Sequence, residues 1–384
     1  MKEWSILFDS SLQSLLGFDA ESLEDPAAKL YLKVLIAYFS GDLQTLQEHA
    51  QTAEALSLKA PLFRPVYLLT NLRLQIRKNQ VDPALIDQVE SEIDQFESFW
   101  KGEIHFVLSS AEAVLERHDR SRDQSLRAFH ALKQLGSRKK AVRALMNAVS
   151  SESCRRPDKL YFADLHFLHS EAQKIGDTTS QGITQLNISR EYQKLGLFRA
   201  ALRSADRAVS TLSHITGGID YPLALAHRAH IFCQLGAWNE ARLDTELACS
   251  APFPEVKAAI RIIQIDFPKL AEIPLPAVET AEKSAIPAWS KRAKESMTPH
   301  ATKLEEKLIQ ILAHKSHSRE QICERLYGKQ LAPEVTRNRL NNLMNRVRKK
   351  HPSLIKWNAG KYRLTESTLL PIREARPSRK TSHV

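Results

Sequence analysis

Arg190-Glu191-Tyr192-Gln193-Lys194-Leu195-Gly196-Leu197-Phe198-Arg199-Ala200-Ala201-Leu202-Arg203-Ser204-Ala205-Asp206-Arg207-Ala208 decides how most of this chain folds. Gly196 follows a helix-forming run, and a Gly there ends a helix by adopting the left-handed backbone at little steric expense. Phe198, two residues on, plugs the corner between that helix and the next. Ala201 stands at +5, where the pattern takes Ala or another apolar residue, and Ala205 and Ala208 stand at +9 and +12, where small side chains let the next helix pack closely. The same order recurs at Gly236-Trp238-Ala241-Thr245-Ala248 and at Gly41-Leu43-Leu46-Ala50-Ala53. It recurs again at Gly136-Arg138-Ala141-Leu145-Ala148, where Arg138 breaks the rule at +2.

The pattern resembles the tetratricopeptide repeat (TPR), best over about residues 180–250. The resemblance implies a solenoid of paired helices with a concave groove for a protein or peptide partner. It places groove-facing positions six and three residues before the Gly, which gives Arg190, Gln193 and His230. Successive Gly corners lie 95, 60 and 40 residues apart, against about 34 in a regular array. The array is therefore degenerate, with longer helices or further repeats in the gaps. Asp82-Pro83 marks a helix start. The rows Val66-Leu69-Leu72-Ile76 and Ile104-Val107-Leu108-Ala111-Leu115 add more helices. A degenerate TPR-like domain is expected over residues 1–265; the alternative is an irregular helical bundle.

With 384 residues and 43% hydrophobic content the chain can build sizeable cores. Gly is scarce at 12, and apolar spacings are mostly three and four, so the chain reads as mostly α. No apolar run reaches the roughly 20 residues of a membrane span, and the N-terminus lacks a signal-peptide core. Cys154, Cys233, Cys249 and Cys323 are scattered, as buried thiols in a reducing compartment are. A cytoplasmic, bacterial protein without membrane contact is expected. Residues 252–299 hold seven of the 17 prolines, a density that predicts no helix there and a Pro-rich linker over 266–296.

Beyond the linker the composition changes. From His300 onward there are 19 Lys and Arg against 7 Asp and Glu, a net of +12 in a chain of net +11. A near-neutral body with a basic end suggests nucleic acid as a partner. Ser318-Arg319-Glu320-Gln321 opens a capped helix, Pro333 to Lys350 forms a long basic helix, and Ser353 to Leu364 a short hairpin around Ala359-Gly360. That order is the order of a winged helix-turn-helix.

These pieces resemble the DNA-binding domain of OmpR-type response regulators. Met297-Thr298-Pro299 and Leu304 to Leu312 match its Leu-Thr-Pro turn and first helix. Leu326-Tyr327-Gly328 matches its Leu-Trp-Gly. Asn345-Arg346-Val347-Arg348-Lys349-Lys350 matches the end of its recognition helix, and Gly360-Lys361-Tyr362-Arg363-Leu364 its last strand. A winged helix with a small β-hairpin is thus expected over 297–364, followed by a basic tail over 365–384. The family's receiver domain has no counterpart in residues 1–265, so phosphoaspartate switching is not carried over.

In the basic helix, Leu340, Leu343, Met344 and Val347 form one apolar stripe. Arg337, Asn338, Asn341, Asn342, Asn345, Arg346 and Lys349 lie around the other faces. Asn pairs with adenine and Arg with guanine in the major groove. Lys356, Lys361 and Arg363 on the hairpin are placed to meet phosphates. Four Asn between 338 and 345 are poor helix formers, a local cost that points to function.

No GxxxxGK[ST], GxGxxG, GxSxG or HExxH motif occurs. His166 and His169 form an i,i+3 pair without further metal-ligand partners. No enzyme, cofactor or metal is expected. The expected function is a DNA-binding transcriptional regulator whose helical-repeat domain senses a protein or peptide partner. Double-stranded DNA is the other partner, and a homodimer is compatible with this. The alternative is a non-enzymatic scaffold, since helical repeats followed by a winged helix also describe subunits such as those of the PCI family.

Overall fold

Seven of the described helices stop where one residue turns left-handed. The computed structural model describes residues 15, 18, 22–215, 218–270, 303–314, 316–327, 333–350, 354–358 and 361–364. Up to residue 270 these form α1 (Pro26–Ser40), α2 (Leu43–Ser57), α3 (Arg64–Lys78), α4 (Pro83–Glu92), α5 (Ser98–Val114), α6 (His118–Gln134) and α7 (Arg138–Arg155). They continue with α8 (Phe162–Lys174), α9 (Thr178–Lys194), α10 (Phe198–Leu212), α11 (Asp220–Leu235), α12 (Trp238–Cys249) and α13 (Pro254–Asp266).

Gly41, Asn79, Glu116, Gly136, Gly176, Gly196 and Gly236 all have positive φ, between 52° and 77°. At each, the next N–H donates to a carbonyl five residues back, as Asp42 does to Ala37 at 3.1 Å and Leu197 to Tyr192 at 3.0 Å. This double-bonded helix stop satisfies carbonyls that would otherwise be orphaned. The uneven Gly spacing is now explained. Asn79 and Glu116 close corners that lack Gly, and Gly176 closes one without the small-residue pattern. The gap from Gly41 to Gly136 is two helix pairs plus one further helix.

The odd-numbered helices α1 to α13 each touch the next odd one, forming an inner layer, while the even ones pack outside. The result is a TPR-like helical-repeat solenoid. Gly41, Gly196 and Gly236 sit at inner-to-outer corners, whereas Gly136 joins outer α6 to inner α7. The Gly136 segment is therefore out of phase with the other three, which accounts for Arg138 where they carry an apolar plug.

The prolines of 252–299 do not exclude helix throughout, as α13 shows. Pro254 stands at its first turn, where a missing N–H is harmless and the fixed φ suits the helix. The rest of the expected linker, 271–296, lies outside the described residues. Helix α13 returns to α3. Arg77 Nη1 pairs with Glu255 Oε1 at 2.8 Å, and its guanidinium also donates to the Tyr38 carbonyl at 3.0 Å. Phe253 lies against Gly41, where a Cβ would come within 2.8 Å of the ring. The last inner helix thus closes onto the first two.

The C-terminal unit comprises α14 (Lys303–His314), β1 (His317–Ser318), α15 (Arg319–Tyr327), α16 (Pro333–Lys350), β2 (Ile355–Asn358) and β3 (Lys361–Leu364). Its antiparallel sheet runs β1-β3-β2, which makes it a winged helix. Strand β1 was not foreseen from sequence. The capping box forms: Gln321 N donates to Ser318 Oγ at 3.3 Å, and Ser318 N to Gln321 Oε1 at 3.0 Å. Leu308, Leu312, Ile322, Leu326, Leu343 and Leu364 are buried in its core. That core runs on into the solenoid: α14 packs on α8, and the same apolar cluster contains Leu165 and Leu168.

Candidate functional site

Helix α16 carries its apolar stripe inward, with Leu340, Leu343, Met344 and Val347 no more than 3% exposed. On the other side Asn341, Asn342, Asn345, Arg346 and Lys349 are exposed, together with Arg339, which sequence reasoning passed over. Arg346 lies 3.7 Å from the buried Glu305 of α14. Of Arg337 and Asn338 only the helical backbone is described. On the hairpin, Lys356, Lys361 and Arg363 are exposed, and the register sets Lys356 directly opposite Arg363. Behind them Arg319 Nη2 donates to the Tyr362 hydroxyl at 3.1 Å, tying α15 to β3. The surface is cationic and rich in amide groups, and phosphates and base edges are its chemical complements. The tail 365–384 lies outside the described residues.

The second candidate is a cavity of about 390 Å³ on the inner layer. Tyr38, Arg73, Phe106, Arg143, Asn147 and Asn187 are among the residues that line it, together with Asp220 and Glu255. Its wall is organised by one carboxylate. Glu103 accepts from Tyr31 Oη at 2.5 Å and from Arg73 Nη2 at 2.6 Å, and it pairs with Lys140. Burial would raise the Glu103 carboxyl, but Lys140 and Arg73 outweigh it and hold it down to about 2. Burial pushes Lys140 down to about 8 against the pull of Glu103. Arg143 meets Asp177 at 3.1 Å. Asp220 is raised by burial, opposed by Arg143 and Arg77.

Of the groove residues expected from sequence, Arg190 Nη1 donates to Asn187 Oδ1 at 2.8 Å. Gln193 Nε2 lies 2.7 Å from Nδ1 of the buried His230. The cavity lining on α9 is Thr179, Ile183 and Asn187, N-terminal of Arg190 and Gln193. Arg73 and Arg77 could have been found: Arg73 interrupts the apolar row Val66 to Ile76 at helical spacing, and Arg77 follows it one turn later. Asn147 and Asn187 carried no such signal. His169 meets Thr184 at 3.0 Å, and no metal-binding cluster occurs among the described residues. No described helix is long and apolar enough to cross a membrane.

No protein-family model matches the chain, and no curated protein matches it. Among solved structures, a Rap protein complexed with competence and sporulation factor is similar over 91% of this chain and 98% of its own, at 11% identity and TM-score 0.53. The apo form of the quorum sensor NprR from B. thuringiensis matches over 87% of this chain and 92% of its own, at 14% identity and TM-score 0.41. Apo RapI matches over 75% and 98%, at 12% identity and TM-score 0.40. The likeness to the Rap protein is one of fold, that of a TPR-like helical array.

Proposed function

We propose that this chain is a partner-sensing, DNA-binding transcriptional regulator of the cytoplasm. Its winged helix binds duplex DNA, and its solenoid receives a protein or peptide segment in the inner cavity. The observation that carries the reading is the division of α16. One face is an apolar stripe buried in the core, and the other exposes Arg339, Asn341, Asn342, Asn345, Arg346 and Lys349. The OmpR-type resemblance of residues 297–364 supports the same reading. For the solenoid, support comes from the Rap protein of like fold, whose structure holds competence and sporulation factor. No catalytic role is proposed.

Site selection from random duplexes, followed by two variants, tests the DNA reading. Asn342→Ala is expected to lose about 1–3 kcal/mol on the preferred site and little on scrambled DNA, as a base contact does. Lys349→Ala should weaken all sequences alike and lower the salt slope by about one unit. Equal losses on both DNAs from both variants would make α16 an electrostatic anchor rather than a reading helix.

One observation favours a second reading. The apolar cluster shared by α8 and α14 fuses the winged helix to the solenoid, as a non-enzymatic scaffold would have it. A chain that binds no duplex yet assembles with a protein partner through α16 would establish that reading.

A further inference from the structure

Among the large hydrophobic side chains exposed in the described residues, Trp357 is the one aromatic, at 61% exposure. Its place in the sheet gives that exposure a direction. His317, Tyr362 and Trp357 stand side by side across β1, β3 and β2. Along this row exposure rises from 1% to 8% to 61%. Strand alternation puts Ile355 and Leu364, at 5% and 2%, on the same face as Trp357. Trp357 is therefore a core-face position on the sheet's free edge, carried past the rim of the core.

The opposite face of the ribbon has its own anomaly. Lys356 and Arg363 are directly paired across the strands and both exposed, with Lys361 further along β3. Like charges directly opposed across an antiparallel pair repel. Among the described residues no carboxylate lies within ion-pair distance of either. An anion between them reverses the sign of the interaction. A ribbon with paired cations on one face and a bare indole on the other is complementary to a groove whose two walls present phosphates and apolar sugar faces.

We propose that Trp357 is a duplex-DNA contact of the wing, packing its indole on deoxyribose and the groove wall while Lys356, Lys361 and Arg363 hold phosphates. This rests on the reading of the winged helix as a DNA-binding unit and adds a contact that is neither ionic nor a base-edge hydrogen bond. An apolar side chain inserted at a groove wall gains from dehydration and stacking, as wedge residues of DNA-bending proteins do. It releases no counterions, so its contribution does not vary with salt as a lysine's does.

The test is a binding titration of the full chain on a labelled duplex over a series of salt concentrations. Trp357→Ala, Trp357→Phe and Lys356→Ala are compared with the unaltered chain. Trp357→Ala should weaken binding about tenfold, the scale of an aromatic stacking contact, with an unchanged slope of log K against log salt. Trp357→Phe should keep most of the affinity. Lys356→Ala should lower the slope by about one. Thermal unfolding should be unchanged in Trp357→Ala, since the side chain lies outside the core. Unaltered duplex affinity in Trp357→Ala overturns the proposal and assigns the indole to a protein partner. A slope lowered as by a lost charge also overturns it. If the unaltered chain binds no duplex at any salt, the DNA-binding reading itself fails and the proposal falls with it.

Discussion

Glu103 is the residue on which the inner wall of the solenoid depends. One carboxylate, fully buried, pairs with both Arg73 and Lys140 and receives the Tyr31 hydroxyl. Those partners come from α1, α3 and α7, so a single side chain on α5 ties four inner helices together. Removing one member of a buried ion network leaves the others charged and undercompensated. Glu103→Gln is therefore expected to destabilise the protein by about 3–5 kcal/mol, read as a lower denaturant midpoint; an unchanged midpoint would refute the assignment. The buried histidines make a second prediction. Burial pushes His230 down to about 4, and burial followed by Arg190 and His230 pushes His227 well below its usual value. The unfolded chain has both near 6.5. Between those limits the unfolded state binds more protons than the folded state. The stability they contribute is thus complete above about pH 6.5 and lost as pH falls toward 4. The His230 share is at most about 3 kcal/mol. Urea unfolding at pH 7.5 and pH 5 should show the loss, and His230→Asn should flatten it; a stability independent of pH over this range would contradict the account.

At the level of elements, two glycines with the same backbone test the closure of the solenoid. Gly41 and Gly136 both have φ of 77°. A Cβ on Gly41 meets Phe253 at 2.8 Å, whereas one on Gly136 meets nothing within 4 Å. Gly136→Ala should cost about 1–2 kcal/mol, the left-handed penalty alone. Gly41→Ala should cost about 1–3 kcal/mol more from overpacking; equal costs in thermal unfolding would mean that α13 does not seat on the α1 corner. These corners also show what the sequence could and could not tell. Gly followed by a plug and small residues was legible because the backbone demands it. Asn79 and Glu116 turn the chain the same way with side chains that carry no such signature, and Gly176 does so without the plug and small residues, so three corners stayed hidden. The apolar stripe of α16, the capping box at Ser318 and the hairpin strands were legible from period and cap chemistry. The two-residue β1 was too short for any period to register. The inner cavity was not legible, because its lining is assembled from inner helices spread along the whole repeat domain.

On the scale of the whole molecule, the winged helix is held against the solenoid rather than hung beyond it. Helix α14 rests on outer helix α8, which packs on inner helix α7, and α7 supplies Arg143 and Asn147 to the cavity. A contiguous packed path therefore joins the cavity to the winged helix, while the exposed face of α16 stays open. Limited proteolysis should cut first between about residues 268 and 300, where prolines are dense. The two fragments should co-elute on gel filtration because α8 and α14 share an apolar cluster; separation on cleavage would show the contact to be weak. The central claim is that this basic end binds DNA. The measurement that tests it most directly is duplex affinity of the full chain against salt, starting at about 50 mM, where phosphate contacts are strong. The account predicts tight binding there, with log K falling linearly in log salt by about 0.9 per phosphate neutralised. No detectable binding at that salt, or an affinity indifferent to salt, would contradict it.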